Sequence, residues 1–391
     1  MKKLLVWELT PACRVWESKV AAMWRGIHGL TQGGPAKWGH PTTIPTTTFP
    51  QGIVLAETWD PDIVRQAAAI EGYEARYIFQ SSKYHQGGIV VRSPNADLGR
   101  DPRWGRTEEC YGEDPFFNGT MVVAFVKGLQ GDDKRYWQAA ALMKHFLANS
   151  NENDRDKTSS NFDERLFREY YSVPFRMGVI EGGSRAFMAS YNEMNGVPMT
   201  IHPVLENVTR KEWGQDGIIC TDAGAMRNLV TSQKYVPDFD QAAASSVKAG
   251  IGQFLDRYPD AVRGALKKGL LTEAEIDNAL KGNFRVMIRL GLLDPPAMVP
   301  YSSIGREPQD PWLAEKHKSV AGYSTRRDQN GDTGIKSSRA SLLECVTAKV
   351  CGRKRRGPTN DRQFFRGYQT KENHKGGAIT RWAPSEIKGS Q

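Results

Sequence analysis

From Ile27 to about Pro300 the chain alternates short apolar runs with stretches whose apolar residues recur every three or four positions. No other feature constrains the fold as strongly. A strand followed by a helix, many times over, buries its strands best as a parallel sheet with helices packed outside. The spacing predicts helices over 61–76, 114–129, 163–181 and 240–249, and a last long helix opening at 271–280. Thr272 caps that last helix, and Glu275 three residues on completes a capping box. Strands are predicted over 88–92, 140–146, 185–190, 217–221 and 250–255.

The alternating span suits an α/β fold of the TIM-like (β/α)8 barrel type, typically about 250 residues. A doubly wound sheet is the alternative. No Gly-x-Gly-x-x-Gly turn follows a strand and no Walker A sequence occurs, so nucleotide binding has no support. Several apolar runs end in polar residues: Lys144-His145, Tyr191-Asn192 and Thr221-Asp222. Barrels place their catalytic groups at such C-terminal strand ends. Loop solvation explains polarity there, but explains a Lys-His pair inside an apolar run less well.

Charge separates the chain into two parts. Residues 301–391 hold 18 Lys+Arg against 9 Asp+Glu, which leaves residues 1–300 with 35 of each from totals of 53 and 44. The basic excess belongs to the tail. A nucleic-acid-binding protein would be expected to carry it on the folded domain, so no nucleic-acid partner is expected. Gly352-Arg-Lys-Arg-Arg-Gly357 reads first as a solvated stretch, with a nuclear signal or anion patch behind it. No apolar run reaches the roughly 18 residues of a membrane span, and the four apolar residues after Lys3 are too few for a signal peptide. Cys13, Cys110, Cys220, Cys345 and Cys351 are scattered and odd in number, which predicts free thiols and no metal site.

Three segments go further. Ser93-Pro-Asn-Ala-Asp-Leu-Gly-Arg-Asp-Pro-Arg-Trp-Gly-Arg-Thr-Glu-Glu-Cys-Tyr-Gly-Glu-Asp-Pro115, Lys144-His-Phe-Leu-Ala-Asn149 and Gly217-Ile-Ile-Cys-Thr-Asp222 resemble, in order, the signature stretch, the Lys-His motif and the nucleophile strand of glycoside hydrolase family 3. The resemblance runs from about Trp24 to about Ala321. It is nearest the β-glucosidase branch, with β-xylosidases close by. The N-acetylglucosaminidase branch is disfavoured, because Leu147-Ala-Asn-Ser150 stands where that branch has Pro-Gly-His-Gly.

The resemblance implies a retaining exo-glycosidase acting on terminal β-linked glucose, with a β-xylosidase or arabinosidase as the second reading and a non-catalytic sugar-binding fragment as the third. Its substrate would be a β-linked oligosaccharide or glucoside, and no cofactor or metal is implied. Asp222 matches the nucleophile. Arg100, Lys144, His145 and Arg155 match sugar-contacting positions, and Tyr191 a residue beside the nucleophile. A buried lysine at 144 would need a carboxylate partner. Glu108, Glu109, Glu113 and Asp114 form an acidic run that the family uses structurally. Relatives with this fold are often periplasmic or secreted.

The sequence also departs from the family. Arg25 stands where many members carry a sugar-gripping Asp before Gly-x-His-Gly, and Ala223 replaces a common Trp after the nucleophile. Where the family continues into an α/β sandwich that often supplies the acid/base, this chain turns basic and polar. The expected organisation is a poorly defined segment over 1–23, a barrel over 24–300, a linker over 301–321 and a tail of low order over 322–391. A frame shift near 322, and so a truncated product, would account for the tail.

Overall fold

The computed structural model describes residues 24–26, 30–31, 44, 46–85 and 87–325. The expected segment over 1–23 and residues 326–391 of the expected tail lie outside the described residues.

The first elements are β1 (Trp24–Gly26), β2 (Leu30–Thr31), α1 (Gly52–Ala56), α2 (Pro61–Gln80) and β3 (Val90–Arg92). They are followed by α3 (Pro115–Gln130), β4 (Ala140–Ala141), β5 (Met143–Phe146), β6 (Ser159–Ser160) and α4 (Val173–Ile180). Next come β7 (Ala186–Ala189), β8 (Glu193–Met194), β9 (Val197–Pro198) and β10 (Ile218–Thr221). Helices α5 (Ala225–Thr231), α6 (Phe239–Lys248), α7 (Pro259–Lys267), α8 (Glu273–Arg289) and α9 (Glu315–Thr325) complete the series. No helix among the described residues is long and apolar enough to cross a membrane.

The pairings run in parallel from β1 to β3 to β4, and from β5 to β7 to β10. β4 and β5 are consecutive, separated only by Leu142, so one parallel series passes through five strand positions. A bridge from Cys220 to Gln253 adds a sixth. β2 caps the other edge antiparallel to β1, and β6, β8 and β9 form a small separate sheet. This is the α/β architecture the alternation predicts. The pairings among the described residues stop short of an eight-stranded closure.

The local reasons are legible. Asp60 accepts the amide of Asp62 ahead of Pro61, and Asp114 accepts the amide of Phe117 ahead of Pro115, so both long helices start at a capped proline. The capping box at Thr272 and Glu275 is present. α2 and α3 pack closely because Gly128 has no side chain; a Cβ there would lie 2.1 Å from the carbonyl oxygen of Arg65. Arg76 on α2 is 2% exposed and donates to the carbonyls of Gln138, Trp137 and Leu290, tying the helix to the chain entering β4 and to the end of α8. Burial lowers its guanidinium to about 10. Behind β5, Phe146 packs against Phe187 at 5.0 Å and edge-on against Phe175 at 5.2 Å.

Three predicted elements differ. The 163–181 helix is interrupted: a turn at Glu164–Leu166 runs into a π-helical stretch at Phe167–Tyr171 before α4. Pro174 lacks the N–H that the carbonyl of residue 170 would receive, and its ring crowds that carbonyl, so the preceding turn widens. The 250–255 strand is reduced to one bridge, with the Gly252 amide bound to Ile219 and the Thr221 amide bound to Gln253. Residues 301–321, expected to link, lie on α2. Glu307 accepts from Tyr73, Asp310 accepts from Tyr77 and Tyr84, and His317 meets the buried Glu74 at 2.9 Å. Val320 of α9 packs with Phe49, Ala67 and Ile70.

Candidate active site

Because β5, β7 and β10 are parallel neighbours, their C-terminal ends share one edge. That edge carries Lys144-His145, Tyr191 and Asp222.

Asp222 directly follows β10. Its side chain is 15% exposed, and its Oδ2 lies 3.9 Å from Nε2 of His145. Its Oδ1 accepts the amide of Ala223 at 2.7 Å. Tyr191 donates its hydroxyl to the carbonyl of Ala223 at 2.6 Å, so a phenol and a carboxylate grip the same residue. Burial, and then the charge of Asp222, push the Tyr191 phenol well above its ordinary range, which keeps it a donor. Gly224 takes φ of +77°, which turns the chain into α5, and its amide is bound by Asp256. Asp222 and Asp256 therefore hold successive amides of one turn.

Lys144 and His145 are both 3% exposed, and the peptide between them is cis. Lys144 Nζ lies 3.2 Å from Oε2 of Glu109. That carboxylate also accepts from Arg106, at 2.8 Å to Oε1 and 2.9 Å to Oε2. Burial opposes the charge of Glu109, but Lys144 and Arg106 bring it down to about 2. Glu109 is thus a fixed anion that neutralises two cations. Arg106 also reaches Nε2 of His145 at 3.2 Å, and the other ring nitrogen lies 2.9 Å from Oδ2 of Asp97. Asp97 is fully enclosed, and burial raises its carboxyl to about 8.

Arg155 lies in the loop after β5, with its guanidinium 4.4 Å from the centre of the Tyr191 ring. Glu152 accepts from Arg155 at 2.8 Å and from Trp104 Nε1 at 3.2 Å, and comes within 3.7 Å of Arg106. One set of contacts therefore joins Asp222, Tyr191, Arg155, Glu152, Arg106, Glu109, Lys144 and His145. Arg100 is not part of it: it is exposed, with its guanidinium 5.1 Å from the centre of the Tyr171 ring. Arg25 lies on β1 opposite Arg92, and residues 27–29 are outside the described residues. Asp114 caps α3.

Sequence reasoning did not single out Asp97, Arg106, Glu152 or Asp256. Asp97 and Arg106 lie inside the 93–115 segment, and Glu152 stands three residues before Arg155, a spacing at which opposite charges often pair. Asp256 carried no signal. Among the described residues no group of three or more His, Cys, Asp or Glu is placed to hold a metal ion.

A carboxylate at a strand end, beside a histidine ring and a phenol, suits attack on an electrophilic carbon bearing hydroxyls. The sequence comparison decides the lineage: the Glycosyl hydrolase family 3 N terminal domain matches residues 37–286. The chain belongs to glycosyl hydrolase family 3. It is 33% identical over 295 residues to a probable beta-D-xylosidase 7 of Arabidopsis thaliana, covering 71% of this chain and 38% of that protein. It is likewise 33% identical to a beta-xylosidase/alpha-L-arabinofuranosidase 2 of Medicago sativa subsp. varia, covering 71% and 37%. Among solved structures, a β-glucosidase of Erythrobacter marinus superposes with a TM-score of 0.65 at 28% identity, covering 77% of this chain and 38% of that one. A Listeria innocua β-glucosidase in complex with glucose gives 0.62 at 28%, covering 71% and 37%. The chain thus spans under two fifths of the length of these family 3 proteins.

Proposed function

We propose that this chain carries the nucleophile half of a retaining exo-β-glycosidase site, in a catalytic unit of the (β/α)8 type over 24–300. The observation that carries the reading is the Asp222 carboxylate at the end of β10, beside His145 and in a frame of paired charges. Asp222 attacks the anomeric carbon, the bond from that carbon to the leaving oxygen breaks, and a glycosyl ester forms on the carboxylate. Water then attacks the same anomeric carbon and gives up a proton, the bond from that carbon to the carboxylate oxygen breaks, and Asp222 is restored with the configuration retained after two inversions.

The other residues orient the sugar. Lys144, whose ammonium is paired with Glu109, and Arg155 donate to ring hydroxyls. His145 faces the same space. Tyr191 holds the turn that aims Asp222. Arg100 enters only as a rim residue. The proposal assigns no general acid to these residues: Asp97 is enclosed behind His145, Glu109 is held ionised between two cations, and Glu152 is bound by Arg155 and Trp104. Acid assistance contributes roughly 10² to 10⁴ in rate, so sugar leaving groups would depart slowly without it and activated phenols would not.

The sugar is terminal β-D-glucose or β-D-xylose. The closeness to β-glucosidases in sequence motif and structure supports the first. The β-xylosidase and arabinofuranosidase names of the sequence relatives support the second. The test is release of dinitrophenolate from 2,4-dinitrophenyl β-glucoside and β-xyloside by the full chain, with Asp222→Asn beside it. Release that depends on Asp222 supports the reading, and the faster substrate names the sugar. No release from folded protein, with sugar binding retained, would make this a non-catalytic sugar-binding chain.

A further inference from the structure

We propose that Asp97 is a positioning residue that fixes the tautomer and ring direction of His145, so that Nε2 accepts from Arg106 and the ring is held beside Asp222. A guanidinium can only donate, so Nε2 of His145, 3.2 Å from Arg106, is an acceptor. The ring proton then resides on Nδ1, which donates to Oδ2 of Asp97 at 2.9 Å. The same Oδ2 accepts the main-chain amide of His145 at 3.1 Å. One oxygen thus takes two donors from one residue, and only an acceptor fits there, whatever the charge on Asp97.

The rest of Asp97 shows that its carboxyl is not needed to hold its own loop. Its amide binds Asn95 at 2.9 Å and its carbonyl accepts from Asn118 at 2.8 Å, contacts that any side chain would leave in place. Its Oδ1 is buried with no hydrogen-bond partner. Leaving a buried polar atom unsatisfied is costly, so a carboxyl kept there for packing alone would be a poor choice. Every hydrogen bond of this side chain goes to His145. The charged groups around it, Arg106, Glu109 and Lys144, belong to the same cluster as Asp222. The consequence for the site is a fixed ring: His145 accepts from Arg106 on one side and donates to Asp97 on the other, which holds it beside Asp222.

The inference rests on the glycosidase reading only for its kinetic arm. The other arm is the ¹⁵N spectrum of the His145 ring in the full chain, assigned by its loss in His145→Gln. Wild type and Asp97→Asn should both show the proton on Nδ1, because two converging donors force the amide to present its oxygen. Asp97→Leu should shift the proton toward Nε2. In turnover of the better aryl glycoside, Asp97→Asn should stay within roughly threefold of wild type in kcat/KM, whereas Asp97→Leu should lose roughly 10- to 100-fold, by analogy with the carboxylates that orient metal-bound histidines. An unchanged tautomer in Asp97→Leu, or kcat/KM within threefold, overturns the proposal. Should Asp97→Leu fail to fold, Asp97→Asn still decides, since a proton on Nε2 in that variant would equally overturn it. A wild-type chain without turnover ends the glycosidase reading and leaves the ring measurement to judge this one.

Discussion

Nε2 of His145 stands 3.9 Å from Oδ2 of Asp222, although the two residues sit on different strands with β7 between them. Only the parallel run of β5, β7 and β10 brings these strand ends to one edge. The approach places the ring beside the carboxylate at a distance longer than a hydrogen bond, with Nε2 turned to Arg106. The residues behind them carry most of the fixed charge, and that separation makes the site testable piece by piece.

Glu109→Gln should destabilise the fold by about 3 kcal/mol, because it leaves the ammonium of Lys144 and the guanidinium of Arg106 buried beside a neutral amide. Urea unfolding measures it. A loss within experimental error would show that those cations are solvated in practice.

The pH dependence of stability has two opposed parts. Asp97 moves from 3.8 to about 8, so between these values the folded state keeps a proton that the unfolded chain has lost. Its contribution to stability therefore falls as pH rises from about 4 to about 8, and levels off above. Glu109 moves from 4.5 to about 2, so its contribution is present above about 4.5 and is lost as pH falls toward 2. Asp97→Asn removes only the first part. Its Tm relative to wild type should rise between pH 4 and pH 8; a flat difference would contradict the assignment.

How much of this was legible beforehand depends on the kind of signal. α2, α3 and α8 announced themselves through periodicity, and α8 also through the cap at Thr272, whereas the caps at Asp60 and Asp114 emerged from the structure. The three strand ends of the site were legible as polar residues closing apolar runs, and the partner that Lys144 requires turned out to be Glu109. The interruption before α4 was missed because apolar spacing hardly distinguishes an α-turn from a wider one, although Pro174 was in view. Residues 301–321 read as a linker because they are short on aliphatic periodicity. Their attachment to α2 instead comes from Asp310, Glu307, His317 and Trp312, single contacts that leave no pattern. Asp97 and Asp256 escaped because nothing in a sequence says which carboxylate will face a histidine or an amide from a distant strand.

Trp312→Ala tests that attachment. The indole is buried, edge-on to Tyr77 at 5.8 Å and near Tyr84 at 5.7 Å. Its loss should cost about 3 kcal/mol in urea unfolding. A true linker would lose almost nothing.

Tyr191→Phe should lower kcat on activated glycosides about tenfold with little change in KM, at a stability loss of about 1 kcal/mol. It removes the hydrogen bond to Ala223 at 2.6 Å while leaving a ring for Arg155 to cover. Unchanged kcat would show that the turn holds Asp222 without the phenol.

The covalent step is most directly tested by trapping. The full chain is incubated with the 2,4-dinitrophenyl 2-deoxy-2-fluoro derivatives of β-glucose and β-xylose. In these the good leaving group lets the first step proceed while the fluorine slows hydrolysis of the ester. The account predicts one equivalent of dinitrophenolate and a sugar adduct on the peptide containing Asp222, absent in Asp222→Asn. An adduct on Asp256 or another carboxylate, or none on folded protein, would contradict it.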